Sequence, residues 1–352
     1  QEARSRILDY IEVGQTEGQI ALACDVGNLA DTGYFVGPHI FVDVAPDARI
    51  AQQEIFGPVL VVIRARDFSH ALEIANHPAL IETVAANLVM ANLSGHDSHG
   101  VGMVPRYVDA VKEGGLRPNT SVRTVLDTGT LLTLDGQRGY GQVVGAQAME
   151  EGIARAKAHG SCIMTLAHAH HLGRIGHFAE TAVAQGLVSL HFVNVLSRPV
   201  VAPWGGGDGR FGTNPCCIGI PMGLGDAQRE PFVLDFATSR VAQGKMRVAH
   251  NQGKEVEPGT LIDEHGHPTT RPGVVVVPQS NGRYGALLPF GEHKGFGMAV
   301  ACELLGWALS GGGTWHHTHD GRRAVVNHML TIVIDPARLG HQAFFAQEAL
   351  TF

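Results

Sequence analysis

The stretch VVGAQAMEEGIARAKAHG, SCIMTLA, HAHHLGRI, GHFAETAVAQG, LVSLHFVNV, running from Val143 to Val195, carries the fold class. Val143–Gly160 is rich in Ala, Glu, Lys and Arg and closes on a glycine, the pattern of a helix with its usual stop. Ser161–Ala167 is a short apolar run and predicts a buried strand. Gly176–Gly186 returns to helix and Leu187–Val195 to strand. Strands and helices that alternate in this way predict an α/β domain with a mixed or parallel sheet.

The pattern extends outward on both sides. CCIGIP (Cys216–Pro221) and FVLDFA (Phe232–Ala237) read as further strands. His293–Gly313 reads as one long helix and Ala324–Pro336 as a closing strand. Toward the N-terminus, TLLTLDGQ carries a hairpin signal at Asp135–Gly136. Pro105–Gly115 is a short helix stopped by Gly114–Gly115. A helix before it carries Leu80, Ile81, Val84, Ala85, Leu88 and Val89 at helical spacing and ends near Gly95.

The first residues differ in character. Glu2–Glu17 predicts a helix with Ile7, Leu8, Ile11 and Val13 on one side. Short β-like runs follow at Ile20–Cys24, Gly33–Val44 and Phe56–Ala65, punctuated by Gly and Pro. A short helix with Asp67 or Ser69 as cap and Ala71, Leu72 and Ile74 as apolar positions is stopped at His77–Pro78. No internal repeat is present.

Composition limits the function classes. The 352 residues suffice for two or more domains with real cores. A net charge of −7 with no long basic run argues against nucleic acid as a partner. No apolar run approaches a membrane span, and the N-terminus lacks a signal-peptide apolar core, so a cytoplasmic protein is expected. The five cysteines, Cys24, Cys162, Cys216, Cys217 and Cys302, show no CxxC spacing and read as free thiols in a reducing compartment. The chain holds 45 glycines and 20 histidines, which suit close backbone approach to ligands and acid–base chemistry.

Five polar clusters interrupt the pattern. SGHDSHG places His96, Asp97, Ser98 and His99 between glycines at a helix end. HAHHLGRIGH brings His168, His170, His171 and His177 just past a strand, where ligands of α/β folds usually bind. A neutral imidazole there can act as acid or base near pH 7. A metal site is the rival reading, but the spacing lacks the HExxH pattern and a nearby carboxylate, so no metal is expected. Pro203–Pro215 is glycine-rich without a Walker GK[ST] ending, LDFATS closes a strand, and EHKGFG sets Lys294 at a helix start, where an anion is favoured. No Rossmann fingerprint is present: GFGMAV follows a loop, not a strand. Separately, each cluster reads as a turn or a cap.

Together and in order, GHDSHGVGM, AHHLGRIGHFAE, APWGG…FGTNP, VLDFATS, IDEHGHPTT and LLPFGEHKGFGMAVACELL resemble the malate/L-lactate dehydrogenase family, which includes ureidoglycolate and L-sulfolactate dehydrogenases. The resemblance implies an α/β fold of the malate/L-sulfolactate dehydrogenase type, distinct from Rossmann dehydrogenases. It implies NAD or NADP as cofactor, a small 2-oxo or 2-hydroxy acid as substrate, and a homodimer. Residue by residue, it implies that Ser98 and His99 face the substrate and that His171 or His99 donates or accepts the proton. Asp235, Ala237, Thr238, Lys294, Asn214 and Pro215 are implied as cofactor contacts. Several relatives carry an Arg where Met103 stands here, so Arg106 or Arg174 is the expected carboxylate anchor. Arg271 stands where the family has Asp.

Residues 1–76 instead resemble a fragment of the aldehyde dehydrogenase superfamily, through GYFVGPHIFVDV and RIAQQEIFGPVLVVIRARDFSHALEIAN. Its Glu54 and Phe56 correspond to nicotinamide-ribose contacts, but the catalytic cysteine and general base of that family are absent. The sequence therefore predicts two domains, 1–76 and 77–352, with the second truncated at both ends relative to its family. The expected function is an NAD(P)-dependent 2-hydroxy acid dehydrogenase. The alternative is an inactive fusion remnant with at most weak dinucleotide binding.

Overall fold

A computed structural model describes residues 2–46, 48–52, 55, 57–66, 78–223, 229–312, 314, 325–340 and 342–351. The predicted helix around Asp67, Ser69, Ala71, Leu72 and Ile74, its stop at His77, and the motif residues Glu54 and Phe56 lie outside the described residues. The chain divides into two compact units, Gln1–Ile81 and Glu82–Phe352.

In the first unit, helix α1 (Glu2–Glu17) precedes strands β1 (Gln19–Ala23) and β2 (His39–Val42), the short helix α2 (Arg49–Gln52) and strand β3 (Val59–Val61). β1 pairs antiparallel with β2, and β2 parallel with β3. Ile7 and Ile11 of α1 pack with Phe41, Val44, Ile50 and Ile55. Leu8, expected on the same side, is exposed, because it lies a quarter-turn off the Ile7–Ile11 stripe. The Glu17 carboxylate accepts from the backbone N–H of Arg49 and Ile50, capping α2.

Helix α3 (Pro78–Leu93) leads into the second unit, followed by α4 (Val104–Lys112), the strands β4 (Arg123–Asp127) and β5 (Leu131–Asp135), and helix α5 (Gly141–His159). Then come β6 (Ser161–His170), α6 (Gly176–Val183), β7 (Val188–Leu196), β8 (Cys216–Met222), β9 (Arg229–Phe236) and α7 (Gln243–Asn251). A three-stranded sheet of β10 (Leu261–Ile262), β11 (Pro268–Thr269) and β12 (Ala286–Leu287) encloses α8 (Gly273–Val276) in sequence. The unit continues with α9 (His293–Cys302), β13 (Val326–Ile334) and α10 (Gln342–Thr351).

The main sheet has the order β4-β5-β6-β13-β7-β8-β9. It is mixed: β5 and β6 pair in parallel, and every other pairing is antiparallel. β6 and β7 run parallel, as the strand–helix–strand pattern predicts, but β13 is inserted between them. Local periodicity sees each element; it does not see a strand that arrives from more than a hundred residues away.

The core forms where α5 and α6 cover one face of this sheet. Val144, Ala148, Met149, Ile153 and Ala156 of α5 recur at helical spacing and meet Cys162, Met164 and Leu166, the alternate residues of β6. Phe178, fully buried on α6, joins them. All five cysteines are free, and all but Cys24 are buried.

Two sequence expectations are corrected. Asp135–Gly136 is not a hairpin turn; the β4–β5 hairpin turns at Asp127–Thr130, and Gly136 instead donates to Ala167 on β6. The expected long helix from His293 becomes π-helical over Glu303–Ala308. There Glu303 is buried and accepts from Asn214 Nδ2 at 2.8 Å, so the wider turn carries an inward carboxylate that a regular stripe would not predict.

Candidate active site

The SGHDSHG motif folds as two short 3-10 turns, Asp97–His99 and Val101–Met103, after the end of α3. Asn92, in the last turn of α3, holds them: its Oδ1 accepts from Val101 N at 2.9 Å and its Nδ2 donates to Asp97 at 2.6 Å. This clamp presents Ser98 and His99, with Ser98 Oγ 2.9 Å from His99 Nδ1.

His171 enters from the far end of β6, and its ring stacks on that of His99 with centroids 5.3 Å apart and planes 22° apart. Tyr107, on α4, sets its hydroxyl 2.7 Å from His171 Nδ1, and Gln142, on the first turn of α5, donates to the same hydroxyl at 2.7 Å. Gln142 is fully buried, and its Oε1 is a buried acceptor with no partner in the protein. Each histidine thus has Nδ1 held by a neighbour, and Nε2 is the nitrogen left to face a reacting group.

Two glycines let the elements close on this pair. A Cβ at Gly141 would overlap the carbonyls of His170 and His171, so only glycine brings the α5 terminus against them. A Cβ at Gly244, on α7, would overlap the Ser98 side chain.

The imidazoles are kept neutral. Burial, then the His99, His170 and Arg106 charges, push His171 well below its usual range. Burial, then His96, lowers His99 to about 4. Burial, against the opposing Gln142 hydrogen bond, raises the Tyr107 phenol. A neutral, stacked imidazole pair with free Nε2 atoms can exchange a proton with a hydroxyl or carbonyl oxygen.

The other predicted residues divide. Asp235, the last residue but one of β9, accepts from Gly176 N at 2.7 Å, and has its pKa raised by burial despite that bond and the nearby His96. Ala237 is half-buried beside it, while Thr238 is fully buried with its hydroxyl spent on Thr213 O. Asn214 is fully buried with φ 32°, and its amide bridges Val195, Ala299 and Glu303. Pro215 follows it, and its carbonyl accepts from Val193 N. Lys294 is exposed on the first turn of α9. Arg106 is brought toward His171, and partial burial followed by Arg247 lowers its pKa. Arg174 is not: it is buried and bound through both terminal nitrogens to Glu180, at 2.8 Å and 2.5 Å. Its guanidinium fork is occupied by that carboxylate.

Tyr107 and Gln142 were missed by motif reading. The only signal in the sequence is that Tyr107 lies one residue from Arg106 on a short helix, which does not separate it from a core tyrosine. Among the described residues no group of three or more His, Cys, Asp or Glu is placed to hold a metal, and no helix is long and apolar enough to cross a membrane.

The chain is similar to known proteins in two separate parts. A family model described as malate/L-lactate dehydrogenase matches residues 71–352. A second model, the aldehyde dehydrogenase family, matches residues 1–83. The chain is 47% identical over 259 residues to hydroxycarboxylate dehydrogenase B of Escherichia coli strain K12, covering 73% of this chain and 70% of that protein. It is 41% identical over 275 residues to L-lactate dehydrogenase of Cupriavidus necator, covering 78% of this chain and 76% of that one. Among solved structures, sulfolactate dehydrogenase from Methanocaldococcus jannaschii superposes with a TM-score of 0.67 at 31% identity, over 77% of this chain and 76% of that chain.

Proposed function

Because the chain belongs to the malate/L-lactate dehydrogenase family, we propose that it is a 2-hydroxy acid dehydrogenase that uses NAD or NADP to interconvert a small 2-hydroxy acid and its 2-oxo acid. The observation that carries this reading is the stacked, neutral His99–His171 pair with both Nδ1 atoms held. His171 takes the hydroxyl proton at Nε2 as the acid is oxidised. The Tyr107 oxygen has lone pairs for both Gln142 Nε2–H and His171 Nδ1–H, so it steadies the imidazolium that forms. In the reverse direction the imidazolium returns the proton. Ser98 and His99 orient the substrate oxygen, and Arg106 faces its carboxylate.

The residues fit a nicotinamide cofactor in one specific respect: the orphaned Gln142 Oε1 is a buried acceptor suited to a carboxamide N–H. Once bound, the nicotinamide supplies or takes the hydride. Asp235 and Ala237 would line the ring, and Lys294 at the α9 N-terminus suits a phosphate. Asn214, Pro215 and Thr238 would shape the wall from behind, since their polar groups are used within the protein. We assign residues 77–352 as the catalytic region and residues 1–76 as an aldehyde-dehydrogenase-like fragment without that family's cysteine nucleophile. A homodimer and a cytoplasmic location, where the five free thiols would stay reduced, complete the reading.

The test is oxidation of NADH and NADPH with a panel of 2-oxo acids. Turnover is expected with at least one pair, and His171→Ala should lower kcat about 10²- to 10⁴-fold. Folded protein without turnover, or full activity in both His171→Ala and His99→Ala, would overturn the proposal. No turnover together with no thermal stabilisation by either dinucleotide would favour the inactive fusion remnant.

A further inference from the structure

Helix α7 carries a second arginine to the imidazole site. Its first turn is seated on the SGHDSHG motif: a Cβ at Gly244 would lie 2.2 Å from the Ser98 Cβ. Arg247 stands three residues on from Gly244 and shares that helix face. We propose that Arg247 is a specificity-determining residue that binds a second carboxylate, so that the substrate of this site is a 2-oxo or 2-hydroxy dicarboxylic acid. The proposal rests on the dehydrogenase reading above and narrows its substrate.

Seating is the first argument. Met246, two residues on from Gly244 and so on the opposite face of α7, is buried in a core with Val200, Leu261 and Val275. That core fixes the helix from behind, and Gly244 closes on Ser98 in front. Ser98 Oγ lies 2.9 Å from His99 Nδ1, and the His99 ring stacks on that of His171. Arg247 rises only ~4.5 Å along the helix axis from Gly244. Its long side chain therefore starts beside the substrate-facing turn, on an element that the core holds in place.

Charge is the second. Arg106 is the anchor for the first carboxylate in this reading. Its charge acts on His171, and the Arg247 charge acts in turn on Arg106, lowering its pKa after the effect of burial. The two guanidinium groups are thus close enough to repel. Among the described residues neither is paired with a carboxylate, whereas Arg123, Arg155 and Arg174 each are. Negative charge placed at both forks relieves that repulsion. The imidazoles add nothing to the balance, since burial keeps them neutral. The acids of the neighbouring motifs are engaged elsewhere: Asp97 accepts from Asn92 Nδ2 and Asp235 from Gly176 N.

Selectivity follows from the count. A 2-oxo monoacid supplies one carboxylate and leaves one guanidinium unmatched. A dicarboxylic acid supplies one carboxylate for each fork. A site arranged to pair a charged group disfavours the analogue that lacks it, because its own group then stays unpaired.

Two matched pairs of 2-oxo acids test the proposal: oxaloacetate against 2-oxobutyrate, and 2-oxoglutarate against 2-oxopentanoate. Each pair differs by a terminal carboxylate in place of a methyl group. In at least one pair kcat/KM should favour the diacid by about tenfold or more, as a charged contact does. Arg247→Gln should erase that preference, and Arg247→Lys should keep part of it. An arginine that only supported the fold would leave the ratio within a pair where it was. Equal turnover or a monoacid preference in both pairs, or a diacid preference undiminished in folded Arg247→Gln, would overturn the assignment. Absence of turnover with every 2-oxo acid strikes the dehydrogenase reading, and calorimetric titration with malate and 2-hydroxybutyrate then decides the role of Arg247. Malate should bind about tenfold or more tightly than 2-hydroxybutyrate in wild type, and the difference should vanish in Arg247→Gln. Equal affinities in wild type, or no binding of malate, would overturn the assignment independently of turnover.

Discussion

The hydroxyl of Tyr107 lies 2.7 Å from Nδ1 of His171, and the two residues are 64 positions apart in the chain. That contact decides which imidazole nitrogen is left for chemistry. Tyr107→Phe removes it and leaves Gln142 Nε2 buried without a partner. We expect kcat to fall about tenfold or more with a smaller change in KM, and stability to drop by roughly 1–3 kcal/mol. Combined with His171→Ala, the substitution should cost little further activity, since the two act as a unit. Steady-state kinetics and urea unfolding check this; wild-type kcat in Tyr107→Phe would remove Tyr107 from the mechanism.

Arg106 and Arg174 should separate cleanly. Arg106→Ala is expected to raise KM for the 2-oxo acid at least tenfold, as loss of a charged carboxylate contact does. Arg174→Ala should leave KM nearly unchanged and instead lower stability by about 1–3 kcal/mol, because it removes a buried guanidinium whose fork grips the half-exposed Glu180. The opposite pattern would mean that the Arg174–Glu180 pair opens on substrate binding.

Acid should destabilise this protein early. The folded pKa is lowered to about 4 in His99 and His170 and to about 3 in His191 and His328, by burial first in each case. The unfolded chain titrates these groups near 6.5 and so binds more protons than the folded chain below that pH. The stabilisation is complete above pH 6.5 and is lost as pH falls from there toward 3. Each neutral buried histidine adds a slope of up to ~1.4 kcal/mol per pH unit in that window. The melting temperature should hold between pH 7 and 8 and fall steeply below about pH 6. A flat profile from pH 7 to 5 would contradict the buried neutral assignment.

Glycine at two positions is a requirement of packing around the imidazole pair. Gly244→Ala drives a methyl group into Ser98, and Gly141→Ala into the carbonyls of His170 and His171. Gly141→Ala meets backbone that cannot step aside, so it should cost more, roughly 1–3 kcal/mol or above, and abolish most activity. Gly244→Ala should mainly reduce kcat/KM, with a milder loss in melting temperature. Calorimetry alongside kinetics distinguishes the two.

Much of this molecule was legible before its structure. The motif order pointed to the family, the strand and helix of Ser161–Val183 appear as expected, and Ser98, His99 and His171 do converge. The strand and helix depend on residues close in sequence, where spacing translates directly into a shared face, whereas the meeting of His99 with His171, 72 positions apart, was implied only by the resemblance of the motifs to the family. The readings that missed were long-range or competitive. Asp135–Gly136 has the composition of a hairpin turn, but Gly136 N is taken by Ala167 on a neighbouring strand. Arg174 sits in the richest motif of the chain, and its pairing with Glu180, six residues on, is a contact that the motif does not encode.

Composition and local pattern alone pointed to an α/β chain, marked its histidine-rich loops and set the order of its segments. Only the folded arrangement set β13 between β6 and β7 and brought Tyr107 and Gln142 behind His171. The physical reason is the same in each instance. Periodicity records which side of an element is apolar, whereas partners for buried polar groups are chosen by three-dimensional proximity. A side chain's charge state and free nitrogen follow from those partners, and no spacing along the chain encodes them.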